Sequence, residues 1–457
     1  MSLNVGWLDR VGASGGPIYL AIVEALAQAI RSGDLQPGDR LPPQRQVAAR
    51  LGVDLTTVTR AYSTARQRGL ADGTVGRGTF VRAPAEDADE AGLVDLTMNL
   101  PPPPHGLALG RLLAATSADI LAHADPAILM GYHPGFGAAG QRAAGAHWLS
   151  PALGEVEPDR VLVAPGAQAA LAAVLSMLRR RGDALVVEPL TYPGAIGLAH
   201  HLGLRLVPCP TDDAGFVPDA LAEICARERP AAIYLVPTLQ NPTTTTTTPA
   251  RRREIARIAT AEEAWIVEDD PYARLLETPL PALAALAPER TFHVATLAKT
   301  LSPGLRVAYL VCPPGWADRT TDALRAVALM PAPLMVAVAT RWMQDGTAEA
   351  VLAGVRAEAI ARREIASRRL PGAVGAPQSL HVWLPLADEA ASERLRAEGQ
   401  ARGLALVTSE AFRAGPGGGA GARLSLGGPA RRASLERALG ALAALVAEAP
   451  PSRSAVV

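Results

Sequence analysis

Among 44 basic residues the chain has a single lysine, Lys299. Every other positive side chain is an arginine. Arginine stays protonated in a protein, whereas a lysine amine can be shifted to its neutral form and can form a Schiff base. A surface lysine that escaped a bias toward arginine is the bland alternative, and the neighbours weigh against it. Lys299 follows a β-rich run, Thr291–Thr296, and a Pro303-Gly304 turn and Arg306 come after it. That pattern sets a nucleophilic amine at a strand end with a fixed cation close behind. A second candidate is Pro165-Gly166-Ala167-Gln168, which follows a strand and opens an Ala/Leu helix whose N-terminal N–H groups suit a phosphate. A third is Val267-Glu268-Asp269-Asp270-Pro271-Tyr272, with adjacent carboxylates at a strand end that are costly if buried unpaired; Glu268 and Asp270 are expected to be solvated.

The elements that must position these residues are legible from Arg160 onward. Short apolar runs at 160–163, 184–187, 204–208, 231–236, 264–268, 291–296 and 306–312 alternate with helical stretches, which predicts an open α/β sheet with its active residues at strand ends. Thr248 before Pro249 reads as a helix N-cap. Residues 320–445 read as helices, with strands at 379–384 and 403–407. Ahead of the sheet, Pro101–Pro104 predicts a rigid extended arm.

Composition bounds the rest. Apolar content of 49% and charged content of 19% describe a globular chain, and a formal net charge of zero leaves no global basic field for nucleic acid, only room for a local patch. Cys209, Cys225 and Cys312 have no metal-ligand spacing; no metal site is expected, and a reducing cytoplasm fits. No signal peptide or membrane span is expected.

The lysine segment resembles the pyridoxal-phosphate motif of fold-type I aminotransferases, S-x-x-K followed by P-G-x-R, with Thr296 where that family usually has Ser. The resemblance implies pyridoxal 5'-phosphate as cofactor and a role for each matching residue. Lys299 would carry the cofactor, and Gly166, Ala167, Gln168, Thr296 and Arg306 would line its phosphate side. Tyr192 would stack on its ring. Asn241, in Asn-Pro-Thr, and Tyr272 would bond its phenolic oxygen, and Asp269 would pair with its ring nitrogen. Tyr132 would reach the phosphate of a partner subunit. Arg423, in Arg-Leu-Ser-Leu-Gly427, would hold a substrate or effector carboxylate.

The N-terminal part reads differently. Ile18, Ile22, Leu26 and Ile30 recur every four residues; a second helix spans about Gln44 to Leu51; a third runs from about Leu55 to Arg68 after Asp54, a good N-cap. Residues 69–81 read as a hairpin with a glycine tip. Three helices and a hairpin make a winged helix-turn-helix. Gly33-Asp-Leu-Gln-Pro-Gly-Asp-Arg-Leu-Pro42, Arg45-Gln-Val-Ala48, Thr57-Val-Thr-Arg-Ala-Tyr62 and Gly76-Arg-Gly-Thr-Phe-Val81 resemble the GntR-type DNA-binding domain. DNA contacts are expected from Arg45, Thr56, Thr57 and Arg60, and at the wing tip from Arg77 and Gly78. Leu55 stands where that family usually has Arg.

A GntR-like head on an aminotransferase-like body resembles the MocR-type regulators. The expected fold class is α/β, a fold-type I body with a smaller α+β subdomain, behind a winged-helix N-terminal domain. The expected boundaries are 14–82 for the head, 83–92 for a linker and 93–448 for the body, whose large part spans about 155–315 and small part about 93–140 and 320–448. The resemblance implies a transcriptional regulator whose partners are a double-stranded DNA operator, an amino acid or amine effector, and a second copy of itself in a domain-swapped homodimer. A working aminotransferase carrying an appended winged helix is the rival reading, since the catalytic set is intact.

Overall fold

Residues spaced for one helix face pack as that spacing demands. In the computed structural model of the chain, Ile22 and Leu26 are buried with Val23, Ala25 and Ala29, while Ile18, the first of the series, stays exposed. The structure describes residues 5–11, 17–32, 34–35, 38–74, 78–81, 93–133, 135–179 and 183–448. It divides into two units, Met1–Gly92 and Leu93–Val457.

The first unit holds α1 (Ile18–Ser32), α2 (Gln44–Leu51) and α3 (Leu55–Gln67), then the antiparallel pair β1 (Ala71–Thr74) and β2 (Gly78–Val81). Gly52 ends α2 in the left-handed region, at φ 65°, which lets the chain turn at once into α3. Asp54 occupies the N-cap position of α3, but its side chain makes no capping hydrogen bond, a correction to the expected cap. Val47, Val58, Ala61 and Tyr62 bring α2 and α3 onto α1 in one core, and the buried Tyr62 hydroxyl donates to Pro42 O at 2.7 Å. Arg77 and the expected linker lie outside the described residues.

The second unit is built on a seven-stranded sheet. Its spatial order is Val161–Ala164, Ala308–Val311, Thr291–Thr296, Ile266–Asp269, Ala232–Leu235, Ala184–Val187 and Arg205–Pro208. All strands run parallel except Ala308–Val311, which is antiparallel to both its neighbours. Most of these strands are largely apolar because helices cover both faces; one face buries Val163, Leu171 and Val294, the other Val186, Ile233 and Ile255. Thr248 caps the helix Pro249–Ala261, its hydroxyl accepting from Arg251 N, as expected.

A second core, around Leu96, Ile365, Val382, Leu424 and Leu439, packs a three-stranded sheet against C-terminal helices. The proline arm starts here. Val94–Asp95 pairs in parallel with Leu404–Ala405, and Leu96 O accepts from Ser425 N at 2.9 Å. Gly427 admits the arm: a Cβ there would meet Leu100 O at 1.9 Å, so no larger residue fits this contact. The strand Ala420–Ser425 and the arm are thus fixed side by side, which sets where Arg423 and Asn99 stand. No helix among the described residues is long and apolar enough to cross a membrane.

Candidate functional site

The C-terminal ends of the parallel strands converge, the place where open α/β sheets collect ligands. Lys299 lies in the turn joining Thr291–Thr296 to the antiparallel strand Ala308–Val311, so the amine and Arg306 are set at one end of the sheet. Arg306 itself takes a left-handed conformation, φ 52°, closing that turn. Thr296 is buried at the strand end and its hydroxyl accepts from Ala298 N at 3.1 Å, shaping the turn. The Lys299 ammonium donates to the main-chain carbonyl of Asn99 in the arm. Burial, and then the cations Arg423 and Arg306 against the pull of Asp269, push the Lys299 amine down to about 8.

A cavity of about 460 Å³ opens beside it, lined among others by Asn99, Ala167, Tyr192, Asn241, Asp269, Tyr272, Thr296, Lys299 and Arg423. Asp269 is buried at the end of its strand. One carboxylate oxygen accepts from the Tyr234 hydroxyl at 2.8 Å; the other, Oδ1, is buried with no partner among the described residues. Burial pushes this carboxyl up to about 6. An acceptor left unsatisfied in a buried site calls for a donor, and a protonated ring nitrogen supplies one.

Arg423 is only 6% exposed. It donates to Asn241 Oδ1 at 3.0 Å and to Thr97 O, and lies over the Phe412 ring at 5.1 Å. Its Nε is buried without a partner among the described residues.

The phosphate-side candidates gather next to the cavity. Gly166 precedes the helix Ala167–Leu178 with φ 91°, and a Cβ there would meet Arg306 Nη2 at 2.6 Å. The guanidinium therefore stands against a helix N-terminus, an anion-favouring pair of features. Gln168 Nε2 donates to Gly194 O at 2.9 Å while its Oε1 is buried and unpaired among the described residues. The orphaned Asp269 Oδ1 fits a protonated ring nitrogen, and the Gly166 cradle with Arg306 fits a phosphate, the two ends of a phosphorylated pyridine.

Tyr132 is the exception. It is 82% exposed and does not line the cavity, so one chain alone does not bring it to the site.

Glu268 and Asp270 are not solvated, contrary to expectation. Glu268 is fully buried and accepts from Leu283 N at 2.7 Å, Ala284 N at 3.0 Å and His293 Nδ1 at 2.8 Å. Burial raises its pKa, but His293 and Arg252 outweigh that and hold it below the usual range. Asp270 accepts from Thr238 Oγ1 and Ala273 N. The strand's alternation explains the split, sending neighbouring carboxylates to opposite faces with different partners. Two residues escape the sequence reading, Asn99 and His381. Neither belongs to a local motif; the signal that finds Asn99 is the run of prolines that follows it.

On the first unit, Arg45, Thr56 and Arg60 are exposed and Thr57 is half-buried. Arg60 stacks on the Tyr19 ring at 4.1 Å, and Thr59 donates to Gln44 at 2.7 Å, tying α3 to α1 and α2. Leu55, at the start of α3, is 42% exposed. Gly78 opens β2 at φ 112° with Arg40 packed against it.

Comparison with known proteins agrees with both halves. Residues 92–395 match the family Aminotransferase class I and II, and residues 18–81 match Bacterial regulatory proteins, gntR family. A Bacillus subtilis protein described as an uncharacterized HTH-type transcriptional regulator, YdeF, is 30% identical over 393 residues, 84% of each chain. A Rhizobium meliloti protein described as a probable rhizopine catabolism regulatory protein, MocR, is 30% identical over 363 residues, 72% of each chain. Among solved structures, the alpha-aminoadipate aminotransferase LysN of Thermus thermophilus, complexed with N-(5'-phosphopyridoxyl)-L-leucine, superposes with a TM-score of 0.70. It is 26% identical and covers 84% of this chain and 98% of its own.

Proposed function

We propose a function from one premise: the chain belongs to the MocR-type transcriptional regulators, a GntR-family DNA-binding head fused to a class I and II aminotransferase domain. Its body binds pyridoxal 5'-phosphate and reads an amino compound, and its head converts that reading into operator affinity. The observation that carries the proposal is the company Lys299 keeps: the sole lysine lines one cavity with the half-satisfied Asp269 and the buried Arg423.

Each residue has a role toward the cofactor. Asp269 Oδ1 accepts the ring N–H, and the negative charge keeps that nitrogen protonated. Tyr192 flanks the ring; Asn241 and Tyr272 meet the phenolic oxygen. Gly166, Ala167, Gln168 and Arg306 receive the phosphate, with Thr296 shaping the turn, and a second copy supplies Tyr132. Bound there, the cofactor supplies a carbonyl carbon for amines and an electron sink. Lys299, already biased toward its neutral form, would be the amine that holds the cofactor's carbonyl carbon and, when free, the base that holds a proton at Nζ. Arg423 orients a carboxylate bidentately once its bonds to Asn241 and Thr97 are exchanged.

In a regulator, whether Lys299 is tied to the cofactor or free would itself carry the signal. A ligand that favours one arrangement of the protein shifts the population toward it. Turnover to a keto acid is slow or absent. The test follows the visible spectrum, keto-acid release and operator affinity on one sample series across common amino acids. An amine-dependent spectral change that alters operator affinity supports the proposal. Rapid turnover with unchanged affinity overturns it in favour of an enzyme.

A further inference from the structure

A chain of hydrogen bonds runs from the large sheet to Tyr272, and its direction can be worked out. It starts at Gln240, whose side chain is fixed: Oε1 accepts from Thr243 N and Oγ1 at 2.8 and 2.7 Å, and Nε2 donates to Leu190 O at 2.7 Å. The main-chain carbonyl of Gln240 lies 3.1 Å from His381 Nε2. A carbonyl only accepts, so Nε2 carries the proton. His381 is fully buried, and burial together with Arg423 and Lys299 pushes its pKa down to about 3, so the ring is neutral and Nδ1 is a bare acceptor.

His381 Nδ1 lies 3.1 Å from the Asn99 carboxamide. A bare acceptor demands a donor, which fixes the amide with Nδ2 toward the ring. The same Nδ2 lies 2.8 Å from the Tyr272 hydroxyl. With its two protons Nδ2 serves both, donating to His381 and to Tyr272 Oη. The tyrosine oxygen therefore accepts from Asn99, and its single proton must point elsewhere. Tyr272 lines the cavity.

We propose that Asn99 and His381 are positioning residues that aim the Tyr272 hydroxyl proton into the cavity, so that it donates to the phenolic oxygen of the cofactor. This rests on the cofactor reading above. The donated bond from Asn99 also polarises Tyr272 and strengthens its own donation. The two residues lie 282 positions apart, one in the arm and one on strand His381–Leu386, so the device joins the arm to the small sheet and the large one. Asp269, Tyr192 and Arg423 also act on Tyr272, and Arg423 and Lys299 on His381; all are left unchanged in the variants below except where named.

The readout is the pH at which the visible band of the bound cofactor changes form, recorded on the full-length holoprotein. Donation to the phenolic oxygen favours the deprotonated form of the adjacent nitrogen, so losing it moves the midpoint up. Asn99→Leu should raise the midpoint by about half to one pH unit, and His381→Leu similarly, while His381→Gln, which keeps an acceptor and a donor, should retain most of the wild-type value. Tyr272→Phe should raise it at least as far. Because Asn99 acts through Tyr272, Asn99→Leu should add nothing in the Tyr272→Phe background. No shift in Asn99→Leu, or a shift of equal size in both backgrounds, overturns the proposal. A wild-type holoprotein preparation without a visible band overturns the cofactor reading first, and this proposal with it.

Discussion

The cavity and helix α3 of the head use polar side chains in opposite ways. In the cavity they are buried, held from several elements, and atoms such as Asp269 Oδ1 and Arg423 Nε are left without partners among the described residues. On α3, Thr56, Thr59 and Arg60 are exposed and Thr57 is half-buried, and Thr59 and Arg60 already have partners on the same unit. A buried orphan atom specifies its ligand, because only a group of the right polarity relieves the cost of leaving it dry. An exposed threonine specifies nothing until a partner arrives. The cavity can thus be read as a mould, while the head shows only which residues are free to make contact.

If the mould is real, breaking it has large effects. The largest is on Lys299. In Lys299→Ala the band of the lysine-bound cofactor should be lost and, where the phosphate side still retains cofactor through dialysis, replaced by that of the free aldehyde. An unchanged spectrum would sink the assignment. Asp269→Ala comes next, since it removes the ring-nitrogen partner from a buried site. Cofactor affinity should fall by roughly 100-fold, the order expected for breaking a buried charge pair by removing one member, measured by equilibrium dialysis.

The pH dependence of cofactor capture sharpens the same point. Only the neutral amine attacks. With its pKa lowered from 10.5 to about 8, Lys299 gains neutral form as pH rises through 8. At pH 7 about one amine in ten is neutral, against about one in three thousand at the ordinary value. Capture by cofactor-free protein should therefore accelerate between pH 6 and about pH 8 and level off above it. Continued acceleration well beyond that point would mean an ordinary, solvated lysine.

How far the sequence reaches follows the same division. Lys299, Asp269, Asn241 and Arg423 are legible because their chemistry lies in short local motifs on or just after strands. Asn99 and His381 are not, because their partnership exists only after the arm has been threaded past Gly427. Glu268 reads as a solvated carboxylate because its partners, His293 and the amides of Leu283 and Ala284, come from later segments. Tyr132, assigned from the family resemblance, is exposed and lies outside the cavity of its own chain.

The head should respond more gradually. Arg45→Ala combined with Arg60→Ala should weaken operator binding by roughly 10- to 100-fold at moderate salt. It should also flatten the plot of log affinity against log salt by about two, close to one for each phosphate left without its arginine. Wild-type affinity and slope in the double variant would remove α2 and α3 as the reader.

The smallest expected effect tests whether exposure alone defines the head's surface. Leu55 is apolar, 42% exposed and first in α3, a position from which a side chain can reach a base edge or a phosphate. It contributes no charge, so Leu55→Arg should add one phosphate contact without removing a packed core residue. Binding should tighten by about threefold to tenfold, and the salt slope should steepen by about one, on specific and unrelated DNA alike. If Leu55 instead packs on a thymine methyl, the same change should weaken the operator while strengthening unrelated sequences, because apolar packing gives way to a charge that any phosphate can meet. Affinity measured on both DNAs separates the two. No change on either would place the start of α3 away from the duplex, and the exposed residues there would no longer mark the contact surface.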